Sequence, residues 1–569
     1  MSLAPPGESQ ATHRVTNQPP PLEGLDLFSQ NRPLVEALQR EGGGWAGADA
    51  AMVGEIAGGD AIRWGFEANE NPPRLKTHDR FGNRVDQVEF HPAWHNLMRT
   101  SVEHAIHALP WREQRAGAHA ARTALSLTFS QVEAGHACPI TMTFAAVPAL
   151  RAQPELLDAW EERLTSARYD SRDVPASEKT GALCGMGMTE KQGGSDVRAN
   201  TTAAKPVGGG SGGAAEYALT GHKWFCSAPM CDLFLVLAQV EGEGVTCFAV
   251  PRWRPDGTRN AFHLQRLKDK LGNRSNASSE VEFRAAYGQL VGEPGRGVPT
   301  IIEMVNHTRL DCVIGSAAGM RWAVSLATHH AAHRSAFGRL LSEQPLMANV
   351  LADLCVESEA ATVTAMRLAR AYDEAGGEGG VGGGADPARA AQAQAFKRIA
   401  TAVMKYWICK RAAPHASEAL EVLGGNGYVE ESGLPRLYRE APLNSIWEGA
   451  GNVICLDVLR ALRREPESVD AFLAELAISD GADRRLDAHV DRLTRALADP
   501  TDAQLRARSL VEAMALALQG SLLVRHAPPA VAEAFLASRL AGDHGYAFGT
   551  LPAHVAFGEI VERNRPLLT

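Results

Sequence analysis

The residues best suited to chemistry fall in a few short runs. The first is Gly185-Met-Gly-Met-Thr-Glu-Lys-Gln-Gly-Gly-Ser-Asp-Val-Arg-Ala-Asn-Thr-Thr202, which packs hydroxyls and a glycine pair into a polar turn. Paired glycines let backbone N–H groups close on an anion, and Thr189 and Ser195 each add a hydroxyl donor. By itself the run is equally an ordinary turn. The second is Ser445-Ile-Trp-Glu-Gly-Ala-Gly-Asn452. Its Glu448 reads either as a proton acceptor in a cleft or as a helix-terminal carboxylate ahead of Gly449. The third is His333-Arg-Ser-Ala-Phe-Gly-Arg339, where the guanidinium of Arg334 is a planar fork suited to phosphate oxygens. Two glycine runs, Gly208, Gly210, Gly213 and Gly377, Gly379, Gly382, match G-x-G-x-x-G. Neither follows an apolar strand and opens a helix, the arrangement that presents helix N–H groups to a pyrophosphate. They read as surface loops, which disfavours a Rossmann dehydrogenase. His91 and His95 have the i, i+4 spacing of a helical metal pair, but no third ligand accompanies them and Pro92 lies between, so no metal is expected.

Positioning these runs takes more than one core, because 569 residues at 45% apolar composition exceed what a single domain holds. From Arg32 to about Arg168 the apolar residues recur at helical spacing, as in Ala120 to Ala134, so residues 1–182 read as an extension plus a helical domain. After Leu183 come short β-rich runs, Lys223 to Cys226, Leu233 to Val240, Val245 to Val250 and Val281 to Phe283, separated by turn clusters. These predict a small antiparallel, barrel-like β domain over 183–293. Helical periodicity returns from Val298 to Arg370 and from Ala388 to Ala412, long enough to bundle, over 294–458. Residues 459–569 read as an additional helical domain. The expected class is therefore α+β, mainly α. A net charge of −9 and a pI near 6.1 argue against wholesale polyanion binding. Nine scattered cysteines without a C-x-x-C pair suit neither a zinc cage nor a disulfide framework and predict a reducing cytoplasm. No export signal or membrane span is expected.

The chemical runs together resemble the acyl-CoA dehydrogenase family of flavoproteins. Met188-Thr-Glu-Lys-Gln-Gly-Gly-Ser-Asp196 is similar to its T-E-x-x-x-G-S-D signature, and Gly221-His-Lys-Trp-Phe-Cys-Ser227 to its G-x-K-x-W-I-T strand, with Phe for Trp and Ser for Thr. The resemblance implies that Met188, Thr189, Gly194 and Ser195 meet the pyrimidine edge of FAD while Phe225 and Ser227 flank its ring and N5. His333–Arg339 resembles E-R-x-x-F-G, which implies that Arg334 and Phe337 serve FAD held mostly by a neighbouring subunit. Leu423-Gly-Gly-Asn-Gly427 resembles the L-G-G-N-G turn, which implies that Gly424 and Gly425 approach the adenosine half. Ser445–Asn452 resembles I-Y-E-G-T, which implies Glu448 as catalytic base and Asn452 near the cofactor. Five blocks in family order are a strong signal. Two glutamine places of the pattern are held here by Pro345 (with Gln344 one step earlier) and by Glu421. The place of a sister branch's base holds Thr308-Arg309, so Glu448 is the one family-type base. Homotetramers, as dimers of dimers, are implied.

Further runs, Asn17 to Leu22, Phe90 to His95, Cys138 to Ala146 and the long C-terminal extension, resemble the family's alkylation-response branch, which implies a second function, weak binding of double-stranded DNA in the response to alkylation damage. From Arg460 onward the chain holds 13 Arg, no Lys and 15 acidic residues, a net −2 that does not favour DNA. Arg460, Arg463 and Arg464 nevertheless cluster, as do Arg484, Arg485, Arg492 and Arg495, and helical spacing can gather some on one face. Three readings stay open: an acyl-CoA dehydrogenase with Glu448 as base, a DNA-binding alkylation-response protein, and an FAD-stabilised scaffold without efficient turnover.

Overall fold

The computed structural model describes residues 12–207, 214–376 and 386–568; both G-x-G-x-x-G runs lie outside the described residues. The N-terminal part is helical, with Arg32–Arg40, Gly47–Gly58, Asp60–Glu70, Pro92–Glu103, Ala118–Phe129, Ala137–Leu150 and Pro154–Leu164 as its main helices. A hairpin, Arg74–His78 paired with Arg84–Glu89, interrupts them. Its charged residues alternate with half-buried ones and give no apolar strand signal, so the hairpin departs from the all-helical expectation for this stretch. His91 caps the next helix, its Nδ1 accepting from Ala93 N at 3.3 Å, and His95 Nδ1 meets the Tyr169 hydroxyl at 2.8 Å.

The β part spans Cys184 to Val291 as one seven-stranded sheet. Leu233–Val240, buried along most of its length, is its hub. It pairs antiparallel with Gly244–Pro251 and, on its other side, with Cys184–Gly187 and Ala203–Pro206. Those last two pairings are parallel, a departure from the antiparallel expectation. Glu216–Ser227 joins Ser278–Val291, which returns to Gly244–Pro251, so the sheet closes on itself as a barrel. Closure removes the free edges that such apolar strands would otherwise expose.

Three long helices, Gly297–His333, Pro345–Ala375 and Pro387–Val422, form the bundle. Pro at the first turn of the second and third costs no hydrogen bond, and Asp386 caps the third through Ala388 N at 3.0 Å. Against them pack Gly451–Arg464, Pro466–Ala477, Ala503–His526 and Phe557–Asn564. Ala503–His526 is, among the described residues, the one helix long and apolar enough to cross a membrane, and it packs against Pro387–Val422. The C-terminal helices share one apolar core with the bundle. Partly buried arginines stitch the two together: Arg367 and Arg525 both hold Glu475 (2.6 and 2.7 Å), and Arg563 reaches Glu359 at 3.0 Å. Arg321 donates to the carbonyls of Asn564 (2.8 Å) and Gln30 (2.7 Å). All nine cysteines are buried and unpaired.

Candidate active site

Glu448 is set by its backbone. It has φ +57° and Gly449 φ +105°, so two consecutive residues occupy left-handed space, which costs a non-glycine residue about 1 kcal/mol. Two cations hold this turn in place. Lys405 donates to the carbonyls of Trp447 (2.8 Å) and Gly449 (2.6 Å), and Arg309 Nε donates to the Glu448 carbonyl between them (3.0 Å). Arg309 is fixed in turn by Asp457 at 2.8 Å. The fastening spends both cations on carbonyls and leaves the carboxylate free: its Oε2 is buried and has no hydrogen-bond partner in the protein. Burial pushes the carboxyl above the ordinary range, against the pull of Thr308, Arg309 and Lys405. A buried oxygen left unpaired suits a group that waits for a proton.

The barrel supplies the facing wall. The strand Glu216–Ser227 bulges between Lys223 and Cys226 against Ser278–Val291, which re-aims Trp224 and Phe225 and leaves the Phe225 ring half exposed. Trp224 N donates to the Thr189 carbonyl at 2.8 Å, tying the Met188–Ser195 loop to the bulge. A side chain at Gly194 would strike the Thr189 hydroxyl at 2.4 Å, so glycine there lets the loop fold tight. Beneath the loop, Glu190 and Lys223 pair at 2.8 Å with both side chains fully buried. Glu190 also accepts from Thr201 N (2.7 Å), Thr202 N (3.1 Å) and Gln192 Nε2 (2.7 Å). Burial alone would raise this carboxyl; Lys223 and the Thr201 and Thr202 donors hold it well below the ordinary range.

Behind Ser227 runs a short polar chain. Lys270 Nζ donates to Ser278 Oγ (2.9 Å) and to the Asn276 carbonyl (2.7 Å), and Ser278 Oγ lies 3.4 Å from Ser227 Oγ. Burial pushes Lys270 down to about 8, opposed by Cys138, Glu133 and Glu440. Cys138 joins the two walls: Ser227, Asn276 and Lys270 face it from the barrel and Glu448 from the bundle, and burial pushes its thiol up to about 11. One turn past Thr308, Asp311 is gripped by Arg122 (2.5 and 2.6 Å) and Thr141 (2.6 Å), which locks Ala137–Leu150 onto Gly297–His333.

The structure thus gathers Glu448 and Ser227 around Cys138 and puts Thr189, Gly194 and Phe225 along the same barrel rim. Met188 lies under that rim, its carbonyl accepting from Asn200 Nδ2 (2.9 Å), and Ser195 is on the exposed side of the loop. Arg334, Phe337, Gly424 and Gly425 form no part of the cluster within one chain. Arg334 Nη1 donates to the Asn17 carbonyl (2.6 Å), and Asn17 also brackets Ser335 (2.7 and 2.8 Å), so the N-terminal segment pins this hairpin. Gln344 donates to the Ala336 carbonyl (2.9 Å) in the same hairpin. Phe337 is 98% exposed. Gly424 needs its positive φ, whereas Gly425 has open space around it. Asn452 is exposed and taken by Arg508 at 2.8 Å. In the C-terminal unit Arg460 pairs with Asp457 (2.8 Å), and Arg485 is enclosed by Asp483 (2.8 Å) and Glu533 (2.6 Å) as an internal strut. Arg463, Arg484 and Arg492 are exposed.

These walls fit a flat cofactor: a half-exposed aromatic ring, hydroxyls and a tight glycine loop along one rim, and an unpaired carboxylate across from them. Comparison with known proteins agrees. Residues 17–171 match the Adaptive response protein AidB N-terminal domain, 185–286 the acyl-CoA dehydrogenase middle domain and 295–463 the acyl-CoA dehydrogenase C-terminal domain. The chain belongs to the acyl-CoA dehydrogenase family, in its AidB-like branch. It is 47% identical to the AidB protein of Escherichia coli (strain K12) over 527 residues, covering 92% of this chain and 94% of that one. It is 32% identical to acyl-CoA dehydrogenase family member 11 of Caenorhabditis elegans, over 75% of this chain and 68% of that one. The solved structure of Caenorhabditis elegans ACDH-11 in complex with C11-CoA superposes with TM-score 0.81 at 26% identity, over 95% of each chain. An acyl-CoA dehydrogenase complexed with FAD from Bacillus anthracis shares the fold, with TM-score 0.60 at 18% identity, over 83% of this chain and 80% of that one. The chain is accordingly an FAD-dependent oxidoreductase of this family. Lys270 and Lys405 carry no signal in the sequence, and Glu190 and Lys223 stand inside the two quoted runs without a sign of their pairing, because the partner of a buried charge leaves no mark in spacing.

Proposed function

We propose that the chain oxidises the α,β bond of an acyl-CoA thioester, with Glu448 as the base. The observation that carries the reading is the buried, unpaired Oε2 of Glu448, held on a turn whose carbonyls are fastened by Lys405 and Arg309. In the reaction the α-carbon would lose a proton to Oε2 and the β-carbon a hydride, so that the acyl group becomes an enoyl. FAD supplies the hydride acceptor. The residues of this chain supply the rest: Thr308 stands beside the carboxylate, and Ser227 and Phe225 shape the opposite wall. The C11-CoA bound by ACDH-11 supports a thioester as ligand. The test is an anaerobic titration of the FAD-loaded protein with acyl-CoAs of graded chain length. Bleaching of the flavin by at least one is expected, and bleaching by none overturns the reading.

A homotetramer is part of the proposal, supported by the apolar side chains Phe337, Leu346 and Tyr428, which stand 83–98% exposed on the single chain. Burying such residues against a second copy removes them from water. Double-stranded DNA is the second reading, and one observation favours it. Arg484, Arg492 and Arg495 are exposed on one side of the helix Arg484–Ala498, though Asp487 and Asp491 lie close by on the same helix. Binding there would be weak and electrostatic, and charge reversal of Arg484 and Arg492 in a low-salt mobility-shift assay should abolish it without touching the flavin spectrum. Unchanged binding in that variant refutes this face.

A further inference from the structure

Lys270 is a cation whose hydrogen bonds both go to neutral groups, the Asn276 carbonyl at 2.7 Å and Ser278 Oγ at 2.9 Å. From Ser278 Oγ it is 3.4 Å to Ser227 Oγ, and Ser227 stands on the cofactor-facing wall two residues past the half-exposed Phe225. The register explains this reach. Ser227 and Ser278 are direct partners across the strands Glu216–Ser227 and Ser278–Val291, so their side chains share one face of the barrel. Lys270 arrives at that face from the loop between Phe262–Leu267 and Ser278–Val291.

The groups around this ammonium leave it without a full counter-charge. Cys138, Glu133 and Glu440 are the titratable groups that act on it. Burial pushes the Cys138 thiol up to about 11, so it is neutral. Glu133 is engaged elsewhere, accepting from His136 N (2.8 Å) and Nδ1 (2.9 Å), Gly135 N (2.9 Å), Ser275 Oγ (2.6 Å) and Asn69 Nδ2 (3.0 Å). Glu440, raised to about 7 by burial, acts on Lys270 through space without a hydrogen bond to it. Arg274 touches Lys270 only at its backbone carbonyl, donating from Nε at 3.1 Å. Burial accordingly pushes the ammonium down to about 8. Such a cation is stabilised when a negative charge arrives nearby, and the cofactor is where one arises. A hydride carries two electrons and one proton, so a neutral ring that accepts it gains one unit of negative charge.

We propose that Lys270 is a positioning residue for the reduced cofactor: acting through Ser278 and Ser227, its ammonium answers the negative charge of the reduced flavin and so raises the flavin's midpoint potential. The proposal rests on the flavin site, and no acyl-CoA enters its test, so it stands or falls separately from the proposed oxidation. The test is dye-coupled potentiometry and sulfite titration of the FAD-loaded full chain, since sulfite adds to an oxidised flavin and leaves the ring negatively charged. Lys270→Met, with FAD retention and melting curves confirming a folded, loaded protein, should lower the midpoint potential at pH 7 by about 30 mV, a tenfold change for a two-electron couple. Sulfite affinity should fall about tenfold with it. The parent itself supplies a second reading. From about pH 8 upward its potential should fall more steeply, by one further proton or about 30 mV per pH unit, because reduction there draws a proton onto Lys270. Glu440→Gln should keep that break and Lys270→Met should lose it. The proposal is overturned if the loaded Lys270→Met variant keeps the parent's potential and sulfite affinity, if the parent shows no break, or if Glu440→Gln removes the break while Lys270→Met retains it.

Discussion

Replacing Lys223 by Met tests what holds the flavin-facing loop in place. The pair Glu190–Lys223 is 2.8 Å long with no exposure of either side chain. Removing one partner strands a buried charge, which costs about 3–5 kcal/mol. Glu190 softens this slightly, because it retains the Thr201 and Thr202 donors. Lys223, stranded by Glu190→Gln, keeps only the Met188 carbonyl at 3.5 Å. The double variant Lys223→Met, Glu190→Gln leaves no buried charge and should cost less than about 2 kcal/mol, well below the sum of the single changes. A chain of several packed units does not melt as one two-state block, so the suitable assay is native-state hydrogen exchange at Glu216–Ser227 and Leu233–Val240. The linkage has a defined sign. Glu190 is held below its unfolded value of 4.5, so the pair's contribution is present above that pH and is lost as the pH falls through the folded value. A Lys223→Met cost under about 1 kcal/mol, or a double variant as costly as both singles combined, would refute the reasoning.

Three further outcomes are expected. Burial raises Glu440 to about 7 from 4.5, so the folded chain binds the proton more tightly and stability falls as the pH rises across that interval; Glu440→Gln should remove up to about 3 kcal/mol of that fall, read from native-state hydrogen exchange at Leu434–Glu440 at pH 4.5 and above 7. Glu448, also raised by burial, should behave alike, so Glu448→Gln is more stable than the parent at neutral pH and equal to it in acid; a variant destabilised at neutral pH contradicts this. Lys405→Met frees two carbonyls of the Glu448 turn and should cost about 3 kcal/mol and slow flavin reduction while FAD stays bound, which stopped-flow and flavin retention together can check.

The order of helical, β and helical segments could be read from the sequence because it rests on periodicity, and periodicity follows from which face of each element is buried. The chemical runs were legible for a different reason: the glycines and hydroxyls at Met188–Ser195 and the Trp-Glu-Gly turn are local, and their spacing survives unfolding. What escaped was long-range. Nothing near Lys405 announces that it will fasten a turn over forty residues on, and nothing near Asn17 announces that it will bracket Ser335. The arginine clusters of the C-terminal unit show the same limit, since Arg485 looks identical to Arg484 in the chain yet meets Glu533 only after folding. The hairpin at Arg74–Glu89 was missed because its strands carry charge on the faces that periodicity inspects.

The most direct test of Glu448 as the base is the rate of flavin reduction by an acyl-CoA deuterated at the α-carbon, set beside the unlabelled thioester in the parent and in Glu448→Gln. The account predicts a slower reaction with the label in the parent, and a rate lower by orders of magnitude in Glu448→Gln with FAD still bound. Equal rates in parent and variant would contradict it.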